Sequence, residues 1–184
     1  MLIRRNMGIA SRLLVAASAS IATASLTCPM ALADPVDYDS LLVDPNVITD
    51  SVAYHADAPV VDPDGTPGIE VVYTHRDGTR AISDKVLVLS DPQAATAALD
   101  GRRTDVLADI PGASSHPMTI GQNGTLITGR ATNGQAESVL LFTEGPAVAA
   151  VEFNAAAGDP APMDLVTEYG KQQDANIRAA LDTS

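Results

Sequence analysis

The sequence predicts an α+β fold: an antiparallel-rich sheet of about six strands with two helices, in the order ββαββββα. Three observations lead there. Between residues 69 and 154, short β-branched and apolar runs alternate with Asp-Gly, Asn-Gly and Gly-Pro turns. A helix-start signal, Ser90-Asp91-Pro92, interrupts them once. An amphipathic stretch with apolar residues at helical spacing follows at Met163.

The first strand is Ile69-Glu70-Val71-Val72-Tyr73-Thr74-His75, and Asp77-Gly78 supplies a hairpin turn after it. The second runs from Thr79 to Leu89. Its unbroken Val86-Leu87-Val88-Leu89 end predicts a central strand covered on both faces. Ser90 or Asp91 caps the first helix, with Pro92 in the first turn and Gln93 at the capping-box position relative to Ser90. That helix runs through Leu99 and either stops at Gly101 or continues past Arg103 toward Leu107. A meander follows: strands at Pro117 to Ile120, Thr125 to Arg130, Ser138 to Thr143 and Ala147 to Asn154. Asn123-Gly124 and Asn133-Gly134 tolerate the positive φ of tight hairpins, and Glu144-Gly145-Pro146 makes the last turn. After Asp159-Pro160-Ala161-Pro162 comes the second helix, Met163 to Leu181, with Leu165, Val166, Tyr169, Gln173, Ile177, Ala180 and Leu181 near one face. Gly170 inside it costs about 1 kcal/mol against Ala, which predicts close packing or a kink. Both helices are expected on one face of the sheet.

Upstream, Arg4, Arg5 and Arg12 precede an uncharged stretch from Leu13 to Ala33, and Ala31-Leu32-Ala33 stands before Asp34-Pro35. That order is the n-region, h-region and A-x-A site of a secretory signal, cut between Ala33 and Asp34. A retained span needs about 20 apolar residues; this stretch is rich in Ser and Thr and holds Pro29. Lipid anchoring at Cys28 is the minor alternative, with Ser25 and Thr27 where a lipobox wants an apolar and a small residue. The expected organisation is a signal peptide at 1–33, an irregular N-terminal segment at 34–67 and a single α+β domain at 68–184. Within 34–67, Leu41-Leu42-Val43 with Val47-Ile48 is expected as a short helix or turn on the domain edge. Val60-Val61 reads as a brief strand and Asp62-Pro63-Asp64-Gly65 as a turn.

The leader carries three of the 11 Lys and Arg and none of the 23 Asp and Glu, leaving eight positive charges against 23 negative, a net of −15. Such a chain repels nucleic acid and anionic lipid. Cys28 is the one cysteine, so an exported domain has no disulfide and is held by its core. Trp is absent and aromatic residues make up 3%, which disfavours base-stacking platforms and leaves Val, Leu, Ile and Ala to fill the interior.

No constellation of catalytic, cofactor-binding or metal-ligating residues stands out. His55, His75 and His116 are far apart and share no metal-ligand spacing. Asp57, Asp62 and Asp64 with Gly65 faintly resemble a calcium loop, but Pro63 splits the aspartates and the closing Glu is missing. Gly112-Ala113-Ser114-Ser115-His116 lacks the second glycine of a nucleophile elbow and reads as a polar loop. Asn123-Gly124-Thr125 matches a glycosylation sequon, which its hairpin role explains better.

Val139-Leu140-Leu141-Phe142-Thr143-Glu144-Gly145, then Ala149 to Phe153, Asp159-Pro160, Asp164-Leu165-Val166 and Gln172 to Ile177, resembles small exported mycobacterial proteins. The element order is similar to the Mog1/PsbP-like domains of mycobacterial lipoproteins and secreted antigens. It also loosely resembles the extracellular sensor domain of mycobacterial receptor kinases, a group with disulfides this chain cannot form. The Mog1/PsbP likeness implies a non-catalytic binding or adaptor module and carries over no site residue. The expected function is therefore an exported non-enzymatic module, secreted or cell wall-associated. Its partner is a protein or an apolar ligand, without nucleic acid, cofactor or a stable membrane span after cleavage. The alternatives are a carrier of an apolar envelope ligand and a small exported hydrolase using His116 with Ser114 or an aspartate.

Overall fold

Residues 36–182 are described by a computed structural model. The expected cut between Ala33 and Asp34, and Cys28, lie outside the described residues. Eight antiparallel strands form one sheet: β1 (Tyr54–Ala56), β2 (Val60–Val61), β3 (Gly68–His75), β4 (Ala81–Val88), β5 (Ser114–Pro117), β6 (Gln122–Arg130), β7 (Ala136–Glu144) and β8 (Ala147–Ala155). The spatial order is β1-β3-β4-β8-β7-β6-β5, with β2 also paired to β3. Among the described residues three helices, and not two, accompany it: α1 (Pro45–Thr49), α2 (Pro92–Asp109) and α3 (Met163–Asp182).

The sheet thus has eight strands and not about six. The additional ones are short edge pieces. β1 pairs Tyr54 with His75, and β2 pairs Val60 with Glu70. The strand expected at Pro117 to Ile120 sits upstream, at Ser114–Pro117, where it pairs with residues 125–128. Pro117 has no amide to continue the ladder, and the chain turns inward to bury Ile120 at 3% exposure. Asn123-Gly124 is not a hairpin turn. It forms a bulge inside β6, where the register slips between Gln122 and Thr125 and Asn123 has φ 58°. Gly124 is required there: a Cβ would stand 2.5 Å from the carbonyl oxygens of both Met118 and Ile120.

The long helices lie on opposite faces, contrary to the expectation of one face. The inner strands show why. On β7, Val139 and Leu141 pack with Leu99, Val106 and Ile110 of the α2 side. Leu140 and Phe142 point the other way, to Val166, Tyr169 and Ile177 of α3. On β8, Val148 and Ala150 face α2, while Ala149, Val151 and Phe153 face α3. A strand apolar at every position needs a cover on each side.

Helix α2 continues through Gly101 to Asp109. Its cap is Asp91, whose carboxylate accepts from the Ala94 amide at 2.8 Å; the Ser90 hydroxyl donates to Asp91. Arg102 pairs with Glu152 and ties this helix to β8. In α3, Gly170 marks close packing, since a Cβ would stand 2.5 Å from Leu140 Cδ2 and 2.7 Å from Ile120 Cδ1.

The segment before β3 enters the core. After a 3-10 turn at Tyr38–Leu41 the chain is extended at Leu42 and Asp44, between α3 and the sheet. Leu41 is 0% exposed and Val43 3%, so this stretch is core and not domain edge. Asn46 of α1 then holds the start of β1, donating to the Tyr54 carbonyl at 3.0 Å and accepting from the Tyr54 amide at 2.9 Å.

Candidate functional site

Two places combine polar groups with apolar surroundings. The first is an open groove of about 470 Å³ where β6 and β7 meet the start of α3. Its floor is Leu126 and Val166, both 1% exposed. Pro160 and Ala161 of the β8–α3 connection form one wall, and Met163, 54% exposed, stands at the rim. Strand alternation carries Thr128 and Arg130 to the same side as Leu126. The guanidinium of Arg130 makes only a long bond, 3.4 Å, to the Gly134 carbonyl. No carboxylate pairs with it among the described residues, although the chain carries a net charge of −12.

The second place is closed. In β4, Ile82 and Val86 point into the core beneath α3, and Asp84 stands between them in the same phase, 0% exposed. Tyr169 Oη lies 2.9 Å from Asp84 Oδ2 and 2.9 Å from the Val43 carbonyl oxygen. The Val43 amide reaches Asp84 Oδ2 at 3.4 Å, and Asp84 Oδ1 is buried with no partner among the described residues. The preceding carbonyls are also taken by α3. Gln173 donates to Leu41 O, and Asn176 donates to Leu42 O at 2.8 Å. Positions 169, 173 and 176 are i, i+4 and i+7, one stripe of a helix. Three successive backbone carbonyls are thus read by one helix face.

The hydrogen count favours a neutral Asp84. A tyrosine hydroxyl has one proton to donate. Against an ionised Asp84, that proton serves either the carboxylate or Val43 O, and the other contact fails. With Asp84 neutral, its own O–H donates to Tyr169, which donates to Val43 O, and both contacts are made. Burial acts in the same direction: it raises the Asp84 pKa to about 7, against the opposing hydrogen bonds from Tyr169 and Val43. Tyr169 is raised well above its ordinary range, first by burial and then by Asp84.

The residues singled out by sequence are scattered. His55 is exposed on β1 and His116 is exposed on β5. His75 ends β3 with its Nδ1 2.7 Å from Asp77 Oδ1 and its ring edge-on to Tyr54 at 5.1 Å. The Thr79 amide first, and His75 next, hold the Asp77 carboxyl far below the usual carboxylate range. Ser114 is exposed on the same edge strand as His116. Asp62 and Asp64 take left-handed φ of 52° and 55°, and Asp64 pairs with Lys85 at 3.3 Å. Among the described residues no three His, Cys, Asp or Glu converge to hold a metal ion, and no helix is long and apolar enough to cross a membrane. The sequence reading placed Tyr169 and Gln173 on the buried face of α3 but missed Asp84. Its signal was an acidic residue in the core phase of β4, between Ile82 and Val86.

No known protein family and no curated protein matches the sequence. Among solved structures, the extracellular domain of PknH from Mycobacterium tuberculosis is similar, with a TM-score of 0.53 at 10% sequence identity. The match covers 79% of this chain and 99% of that one. At that identity the likeness is one of fold.

Proposed function

We propose that this chain is an exported, non-enzymatic binding module whose ligand is a small molecule with an apolar body and an acidic end. The groove between β6, β7 and α3 carries the reading. It offers an apolar floor, hydroxyls from Thr128 and Ser138, and one cation, Arg130, with no carboxylate partner among the described residues. A few placed polar groups in an apolar concavity are what small-ligand sites have in common. Export is supported by the arginine-rich start and the Ala31-Leu32-Ala33 sequence before Asp34. The fold shared with an extracellular mycobacterial domain fits the same compartment.

A fluorescent medium-chain fatty acid serves as the probe. Saturable binding is expected. Filling the groove with Ala161→Trp removes it, and Arg130→Ala weakens it about tenfold, as the loss of one charge-assisted contact requires. Both variants keep the wild-type melting temperature. Binding that is absent in the wild type, or equal in all three proteins, overturns the reading.

A further inference from the structure

We propose that residues 41–43 form a pH-gated strap: Asp84 beneath it holds it shut in acid and lets it open as the medium rises to neutrality. Opening uncovers the cleft between α3 and strands β3 and β4. The strap is a distinct element. It is a three-residue stretch held by side chains of α3 and β4 through its carbonyls at 41, 42 and 43 and its amide at 43. It contributes no strand to the sheet.

Every titratable group facing Asp84 can be named. Tyr169 comes from α3 and Tyr73 from β3; Asp44, just after the strap, acts on both tyrosines. From β8 the facing partner is Val151, which does not titrate. Both tyrosines are pushed upward, by burial first, so neither ionises near neutrality. Among the described residues no cation contributes to holding Asp84 ionised. Neither tyrosine changes charge between acid and neutral pH, whereas Asp84 does.

The sign follows from linkage. Closed, Asp84 keeps its proton up to about pH 7. Open, it meets water and ionises in the ordinary carboxylate range, about 3.9. Closing therefore takes up a proton between those values. The closed state is fully favoured below the lower one, and its advantage shrinks up to tenfold per pH unit until the upper one is passed. Once ionised, Asp84 also draws the Tyr169 proton away from Val43 O, so the strap loses a hold as the charge appears.

Amide hydrogen exchange of the full chain, corrected for the intrinsic rate, tests this from pH 5 to 8. The protection of the Leu42 and Val43 amides should fall about tenfold per unit up to pH 7 and then level off. Amides of β7 should keep theirs. In Asp84→Asn the slope should vanish. Constant protection in the wild type, an unchanged slope in the variant, or a parallel fall in β7 overturns the gate. If Asp84→Asn does not fold, carbon NMR of the wild-type Asp84 carboxyl decides. A midpoint near neutrality supports the gate, and one near the ordinary carboxylate value overturns it.

Discussion

Replacing Tyr169 with Phe removes one oxygen and leaves the ring. The ring is fully buried and meets Phe153 edge-on, centroids 5.6 Å apart at 86°, so its packing survives. What changes is the hydrogen bonding of two buried oxygens, the Val43 carbonyl and Asp84 Oδ2, each 2.9 Å from the lost hydroxyl. A buried donor or acceptor stripped of its partner costs about 1–2 kcal/mol, so the pair should cost about 2–4 kcal/mol. That is a large part of the 5–15 kcal/mol typical of a domain. Urea unfolding followed by far-ultraviolet circular dichroism at pH 5.5 measures it, since the chain has no Trp to report by fluorescence. The midpoint should fall with an unchanged slope. Asp84→Asn combined with Tyr169→Phe should cost less than the two singles summed, because both act on one network. A single-variant cost below about 0.5 kcal/mol, or strict additivity in the double variant, would show that the hydroxyl is not shared as described.

Gly170→Ala should destabilise by about 1–2 kcal/mol, although Ala gains about 1 kcal/mol of helix propensity, because the new methyl meets Leu140 and Ile120 within the core. A raised melting temperature would refute the close approach. Leu41→Ala should cost about 2–4 kcal/mol, as for any fully buried leucine, whereas Val47→Ala at 78% exposure should cost under about 0.5 kcal/mol in the same urea titration.

Much of the architecture was legible because it is carried by local signals. The hairpin from β3 to β4, the Asp91-Pro92 start of α2, the β7–β8 hairpin and the buried face of α3 follow from periodicity and turn chemistry. Of the edge strands, Val60-Val61 was legible and is β2, while two others did not show. Tyr54-His55-Ala56 is three residues long, and Ser114-Ser115-His116-Pro117 is exposed at every position, so neither has an apolar phase to read. Their pairing is imposed by β3 and β6. The helix faces were readable in principle: Val139-Leu140-Leu141-Phe142 and Ala147 to Val151 are apolar on both sides and demand two covers. The groove was not readable, because its walls come from β6, β7 and the β8–α3 connection, far apart in the chain.

Asp84 poses the sharper question of why a carboxyl sits in a core otherwise filled by Val, Ile and Leu. A buried polar network contributes little net stability compared with an apolar replacement of the same shape. What it does provide here is register. Leu41 and Val43 project inward while Leu42 is half-buried between them. A slip of one residue would reverse that pattern, and apolar contacts alone discriminate weakly among Leu, Leu and Val. The stripe of Tyr169, Gln173 and Asn176 reads backbone carbonyls at fixed intervals, and Asp84 fixes which amide faces the sheet. The contacts therefore specify where the strap sits by its backbone, while its two inward side chains supply the burial. Opening such a lock withdraws Leu41 and Val43 from the core, so the strap's equilibrium carries the cost of exposing both side chains as well as the proton.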